Sequence, residues 1–129
     1  MLRKITTLLV AVALSLTAFA ASKYPDISHD ELKAAMAAGT VTLIDVNGSQ
    51  SYAKGHIPGA MDFAALKDSF AAKLPADKSA LVVAYCGSPS CGAYKKAADA
   101  AVALGYTNVK HYSGGISGWQ KRGEQMGKL

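Results

Sequence analysis

Hydrophobic positions change period several times along the chain. Leu81-Val82-Val83-Ala84 opens a short apolar run of the kind that makes a fully buried strand. It breaks at Tyr85-Cys86 into small residues and one proline, Gly87-Ser88-Pro89-Ser90-Cys91-Gly92. From Ala93 the apolar spacing is helical: Ala93, Ala97, Ala101 and Leu104 predict one face of a helix over 93–104, and Gly105 is a good stop. The unit therefore reads strand, tight loop, helix.

The rest of the chain repeats that alternation. Lys23 to Ile27 reads as a short extended segment. Ser28-His29-Asp30-Glu31 has the form of a capping box, with a helix to Ala38 and Gly39 beyond its end. Val41 to Val46 reads as a β-branched strand stopped by Asn47-Gly48, and Ser49 to Lys54 as one helical turn. Gly55 to Ala60 is a turn-rich connector. Met61-Asp62-Phe63 leads into a helix with Leu66, Phe70 and Leu74 on one face, ended by Pro75. Asn108 to Tyr112 is another short strand. Ser113-Gly114-Gly115 turns the chain into a last helix over 116–122, with Trp119 inward. Strands alternating with helices predict an α/β fold with a parallel sheet covered on both faces. Sites in such sheets lie beyond the carboxyl ends of the strands, and Cys86 is at such an end.

The first residues follow a different logic. Arg3 and Lys4 are basic, Ile5 to Thr17 is uncharged and apolar, and Ala18-Phe19-Ala20 fits a small-x-small cleavage site. Residues 1–20 are expected to be a signal peptide, and 21–129 one exported domain, periplasmic or secreted. The apolar run is short for a membrane span, so no stable membrane anchor is expected after cleavage. Removing Arg3 and Lys4 takes the formal charge from +5 to +3. The lysines are scattered rather than striped, which gives no support for nucleic-acid binding. Export also places two cysteines where they can pair.

Cys86 is the leading candidate for chemistry. At a strand end facing a helix N-terminus, free backbone N–H groups favour an anion, and a thiolate is one. The alternative is a small buried core residue. Cys91 reads as a resolving thiol, an inert thiol or half of a permanent Cys86–Cys91 bridge. Asp45 reads as a tie between loops at the strand ends, and His56 as a residue that fixes its own turn. His111 sits near the carboxyl edge of the sheet as a lone histidine on a strand. Lys95 and Lys96 read as a solvated helix face within reach of Asp99, and Gly114 and Gly115 as turn geometry. Two cysteines and scattered histidines make no zinc pattern, so neither metal nor cofactor is expected.

Taken in order, several segments resemble a rhodanese-like domain: Leu43-Ile44-Asp45-Val46, Gly55-His56-Ile57-Pro58-Gly59-Ala60, Val83-Ala84-Tyr85-Cys86, Leu104-Gly105-Tyr106-Thr107-Asn108-Val109, and Gly114-Gly115-Ile116 with Trp119. The set covers essentially all of the chain after residue 20. The resemblance implies a small, mainly parallel five-stranded sheet with helices on both faces. It also implies that Cys86 takes up sulfane sulfur from a donor such as thiosulfate or a persulfide, becoming a persulfide itself. A thiol or cyanide then removes the outer sulfur in a two-step covalent scheme.

The expected substrate contacts are Gly87, Ser88, Ser90, Cys91 and Gly92, with Asp45 and Lys95 as supporting candidates. The loop departs from the family pattern. Many members carry an arginine after the cysteine and another basic or hydroxyl residue further on; here the sequence is Cys-x4-Cys without a cation, and Asn47 follows Asp45-Val46 where the family has arginine. Anion binding must then rest on backbone N–H groups and on Lys95 or Lys96. Three function classes follow: an exported sulfurtransferase or persulfide carrier, a non-catalytic module of the same fold, and a thiol–disulfide protein using Cys86 and Cys91. A phosphatase or arsenate reductase would want an arginine six places after the nucleophile, where Gly92 stands.

Overall fold

The computed structural model describes residues 23–129; the expected signal peptide and its cleavage site lie outside the described residues. The element order is α1 (His29–Ala38), β1 (Val41–Asp45), α2 (Ser49–Lys54), β2 (Met61–Asp62), α3 (Phe63–Leu66), a 3₁₀ turn (Lys67–Ser69), α4 (Phe70–Lys73), β3 (Leu81–Tyr85), α5 (Lys95–Ala103), β4 (Val109–His111) and α6 (Gly115–Lys121). The four strands form one parallel sheet in the order β2-β1-β3-β4. The most apolar strand, β3, pairs on both sides and lies at the centre.

Among the described residues the sheet has four strands, not the expected five. A fifth place exists beside β4, but the leading segment fills it with one isolated bridge between Asp26 and His111. Ile27 donates its N–H to the His111 carbonyl and His111 donates to the Pro25 carbonyl, both at 2.9 Å. Pro25 has no N–H to extend the ladder, so pairing stops there.

Alternation along the strands divides the core in two. Ile44, Val82 and Ala84 point to one face and pack against Ala97, Ala98 and Ala101 of α5, with Phe70 and Leu74. Leu43, Val83 and Tyr85 point to the other, against Leu32 of α1, Ile57 and Trp119 of α6. The period of two in a strand and the helical spacing of the apolar residues decide these partners.

Helix ends follow their chemistry in several places. Ser28 accepts the Glu31 N–H at α1, and Gly39 closes that helix at φ +68°. The helix predicted over 93–104 spans 95–103, and Leu104 is 39 % exposed rather than on the buried face. The helix predicted after Asp62 is broken into α3, the 3₁₀ turn and α4. Asp62 caps it at the Ala64 N–H, and the chain turns at Lys67, whose φ is +45°. Ser69 Oγ donates to the Leu66 carbonyl at 2.6 Å, satisfying the end of the first piece. Phe70 and Leu74 remain inward, so the apolar face survives the break.

Candidate functional site

β3 carries Cys86 just past the carboxyl edge of the sheet, between the strand ends of β1 and β4. Its carbonyl accepts the Ile116 N–H at 2.9 Å, and the Gly87 carbonyl accepts the Ser117 N–H at 3.0 Å. The first turn of α6 thus holds the start of the loop. Gly115 makes the approach possible. Its φ is +60°, and a Cβ there would stand 2.6 Å from the Cys86 carbonyl oxygen and 2.9 Å from the Gly87 carbonyl carbon. Gly115, which reads as turn geometry in the sequence, also clamps the cysteine loop.

Cys86 and Cys91 are joined in a disulfide, with Cα atoms 6.2 Å apart. The loop folds back through a turn in which Cys91 donates its N–H to the Ser88 carbonyl at 3.1 Å, and Cys86 Sγ lies 3.3 Å from the Cys91 carbonyl oxygen. Ser88 Oγ and Ser90 Oγ are hydrogen-bonded at 3.2 Å. The two cysteines differ in exposure: Cys86 is 1 % exposed, whereas Cys91 is only partly buried.

Two clefts flank the loop. On the Cys91 side one of about 380 Å³ brings together Asp26, Ser90, Cys91, Lys95, His111 and Ser113. On the other side one of about 330 Å³ is lined by Asn47, Lys54, Gly87 and Gln120, among others. The expected substrate contacts therefore divide: Ser90, Cys91, Gly92 and Lys95 line the first cleft, Gly87 the second, and Ser88 turns the loop between them. Lys96 lines neither.

Residues 28–122 match the Rhodanese-like domain. The chain belongs to the rhodanese-like family. It is 35% identical over 101 residues to the thiosulfate sulfurtransferase GlpE of Pseudomonas entomophila, covering 77% of this chain and 87% of that one. It is 28% identical over 111 residues to a human thiosulfate:glutathione sulfurtransferase, covering 76% and 95%. Among solved structures it resembles the BH2092 protein of Bacillus halodurans, with a TM-score of 0.70 and 26% identity over 81% of this chain and 77% of that one.

Within this rhodanese-like fold, Asp45 is fully buried at the end of β1. Tyr85 donates its hydroxyl to Asp45 Oδ2 at 2.7 Å, and the Asn47 N–H donates to Asp45 Oδ1 at 2.8 Å. The Tyr85 oxygen in turn accepts the Ile57 N–H at 3.0 Å. Burial and the adjacent Asp45 hold the Tyr85 phenol well above its ordinary pKa, so it stays a donor. Tyr85 belongs to the core on the face opposite that of Cys86. Asp45 thus ties three strand-end segments together, while its hydrogen bonds run to Tyr85 and Asn47 rather than to the cysteine loop. Asn47 is the neighbour of that loop: a Cβ on Gly87 would lie 3.5 Å from Asn47 Oδ1.

The rhodanese-like loop uses its helix N-terminus differently from the sequence expectation. α5 starts at Lys95, and the Lys95 and Lys96 N–H groups donate to the Gly92 and Ala93 carbonyls at 3.2 and 3.1 Å. These short-range bonds consume donors that would otherwise face an anion. Lys95 remains as the cation beside Cys91.

His111 is the residue whose surroundings the sequence hid. It is 6 % exposed, stacked on Tyr94 with ring centroids 3.4 Å apart, and its Nε2 has no hydrogen-bond partner among the described residues. Burial lowers its pKa, with Lys95 acting the same way and Asp26 opposing. The spacing of a three-residue strand gives no sign of this, because the stacking partner comes from the distant start of α5. His56, by contrast, does fix its own turn, with Nδ1 2.7 Å from the Tyr52 carbonyl and its ring stacked on Tyr52.

Proposed function

We propose that the protein is an exported sulfurtransferase, or persulfide carrier, in which Cys86 holds the sulfur. The observation that carries this reading is the position of Cys86. It lies at the carboxyl end of the central strand, its carbonyl held by α6, with a second cysteine already within bonding reach. The names of the two relatives support thiosulfate as one donor and a thiol as one acceptor.

In the reduced protein the Cys86 thiolate attacks the outer sulfur of thiosulfate. The sulfur–sulfur bond of the donor breaks, sulfite leaves with the electron pair, and Cys86 becomes a persulfide. A thiol or cyanide then takes the outer sulfur and returns the thiolate. Cys91 supplies a second exit. Its thiol can attack the inner sulfur of the persulfide, releasing hydrosulfide and leaving the Cys86–Cys91 disulfide. The bridged form buries the nucleophile, so reduction is the step that makes it available.

Cys86→Ser, assayed after reduction, is expected to abolish transfer from thiosulfate to cyanide. Intact mass should show in wild type one sulfur gained or, once Cys91 has resolved the persulfide, the two-hydrogen loss of the disulfide, and in the variant neither. Unchanged turnover in the variant overturns the assignment. Export rests on the basic start, apolar run and Ala18-Phe19-Ala20 of the sequence. N-terminal sequencing from the producing cell should find a mature chain starting near Ala21, and Met1 on the accumulated product would count against export.

A further inference from the structure

We infer that the cleft on the Cys91 side is a docking site for a small zwitterionic thiol, an amino-acid or peptide thiol, which opens the Cys86–Cys91 disulfide by attacking Cys91. This rests on the proposed function only for what the freed Cys86 does afterwards. The direction of attack follows from access. Cys86 is 1 % exposed and lines neither flanking cleft, whereas Cys91 forms part of the wall of a 380 Å³ cleft. An incoming sulfur meets Cys91 first.

The chemistry of the wall selects the thiol. Lys95 and Asp26 both line the cleft, one of each sign, and both act electrostatically on the His111 imidazole. Asp26 already accepts the Ser113 N–H at 2.8 Å, which fixes its carboxylate. A ligand with one carboxylate and one ammonium complements the pair. His111 adds the third feature, an imidazole in the same wall whose buried Nε2 has no partner among the described residues. The groups that face it are Asp26 from the leading segment, Tyr94 stacked on its ring, and Lys95 from the first turn of α5. Low polarity and Lys95 favour the neutral ring, which can accept a proton.

The step balances as two thiols for one disulfide. His111 takes the proton of the first thiol, whose sulfur bonds to Cys91 Sγ. The Cys86–Cys91 bond breaks and Cys86 leaves with the electron pair as thiolate. A second thiol attacks the mixed disulfide, releasing the oxidised ligand disulfide and returning Cys91 to the thiol. The protein is reduced by two electrons and the ligand pair oxidised by two.

The test follows disulfide opening in the wild-type protein with L-cysteine, cysteamine and 3-mercaptopropionate, each rate normalised to thiolate concentration. Iodoacetamide caps the released thiol, and peptide mapping locates the mixed disulfide. L-cysteine is expected to exceed each single-charge thiol by about fivefold, as for one exposed charge contact. Lys95→Gln should remove its advantage over cysteamine, and Asp26→Asn its advantage over 3-mercaptopropionate. The mixed disulfide should map to Cys91, and His111→Phe should slow opening about tenfold at pH 6.5 but not at pH 9, where the thiol ionises without help. Equal normalised rates for the three thiols overturn the docking site, a mixed disulfide on Cys86 overturns the direction of attack, and an equal His111→Phe loss at both pH values overturns the proton transfer. The proposed function fails separately, if protein reduced with a phosphine does not move sulfur from thiosulfate to cyanide.

Discussion

At Tyr85 one hydroxyl serves two loops: it donates to the buried Asp45 carboxylate and accepts from the Ile57 N–H. Tyr85→Phe leaves the ring in place but strands a carboxylate and an amide in the core. A buried group left without its partner costs about 1–3 kcal/mol, and the variant should lose stability in that range by urea unfolding, with the slope of the transition unchanged. That Asp45 ties strand ends is legible in the sequence, because an acidic residue inside a β-branched run needs a partner. The partner itself is not: Tyr85 looks like one more residue of an apolar strand, and only the parallel register that sets Asp45 beside Tyr85 shows why it carries a hydroxyl. His111 escapes for the same reason, its ring contact and its cleft being made by residues far along the chain.

Among the elements, the break between α3 and α4 shows what periodicity reads and what it does not. Leu66, Phe70 and Leu74 have the spacing of one continuous helix, and Phe70 and Leu74 do pack inward. Local chemistry decides continuity instead. Lys67 sits at φ +45° and ψ −123°, a conformation that glycine adopts at much lower cost. Lys67→Gly should therefore stabilise the protein by about 1 kcal/mol, seen as a higher denaturation midpoint, whereas a continuous helix would make the same change destabilising. The unit of β3, loop and α5 is legible in outline from its apolar run and its stop at Gly105. That the first N–H groups of α5 are taken by the Gly92 and Ala93 carbonyls is not, since sequence does not show that the loop turns back on them.

The whole molecule responds to acid through groups whose pKa values fall on folding. His111 is lowered from 6.5 by burial, and Asp77, Asp99 and Glu124 are lowered from 3.8, 3.8 and 4.5 by hydrogen bonds to Ser79, to Lys23 and Tyr24, and to Lys33 and His29. In each case the unfolded chain binds the proton more readily, so the stabilisation is present above the unfolded pKa and is lost as pH falls. Stability should begin to decline below about pH 6.5, where His111 contributes, and fall further below about 4.5 as the three carboxylates join. Melting temperature measured against pH in wild type and His111→Phe checks this: the variant should lose less than wild type between pH 7 and 5 and should share the steeper loss below. At this scale the alternation of strands and helices is enough to reach the parallel α/β fold. The strand count is not, because Pro25 reduces the fifth place to a single bridge.

The clamp formed by Gly115 gives the molecule a built-in clock. The amides of Ile116 and Ser117 are bound to the carbonyls of Cys86 and Gly87, so their hydrogens exchange with solvent only when the start of the loop lets go of α6. Neither amide belongs to the sulfur chemistry, yet both register the state of the segment that bears it. Following deuterium uptake at these two positions in the bridged and the reduced protein would separate a loop that swings out whole from one that opens only at its Cys91 end. In the second case the two amides stay silent while the sulfurs part.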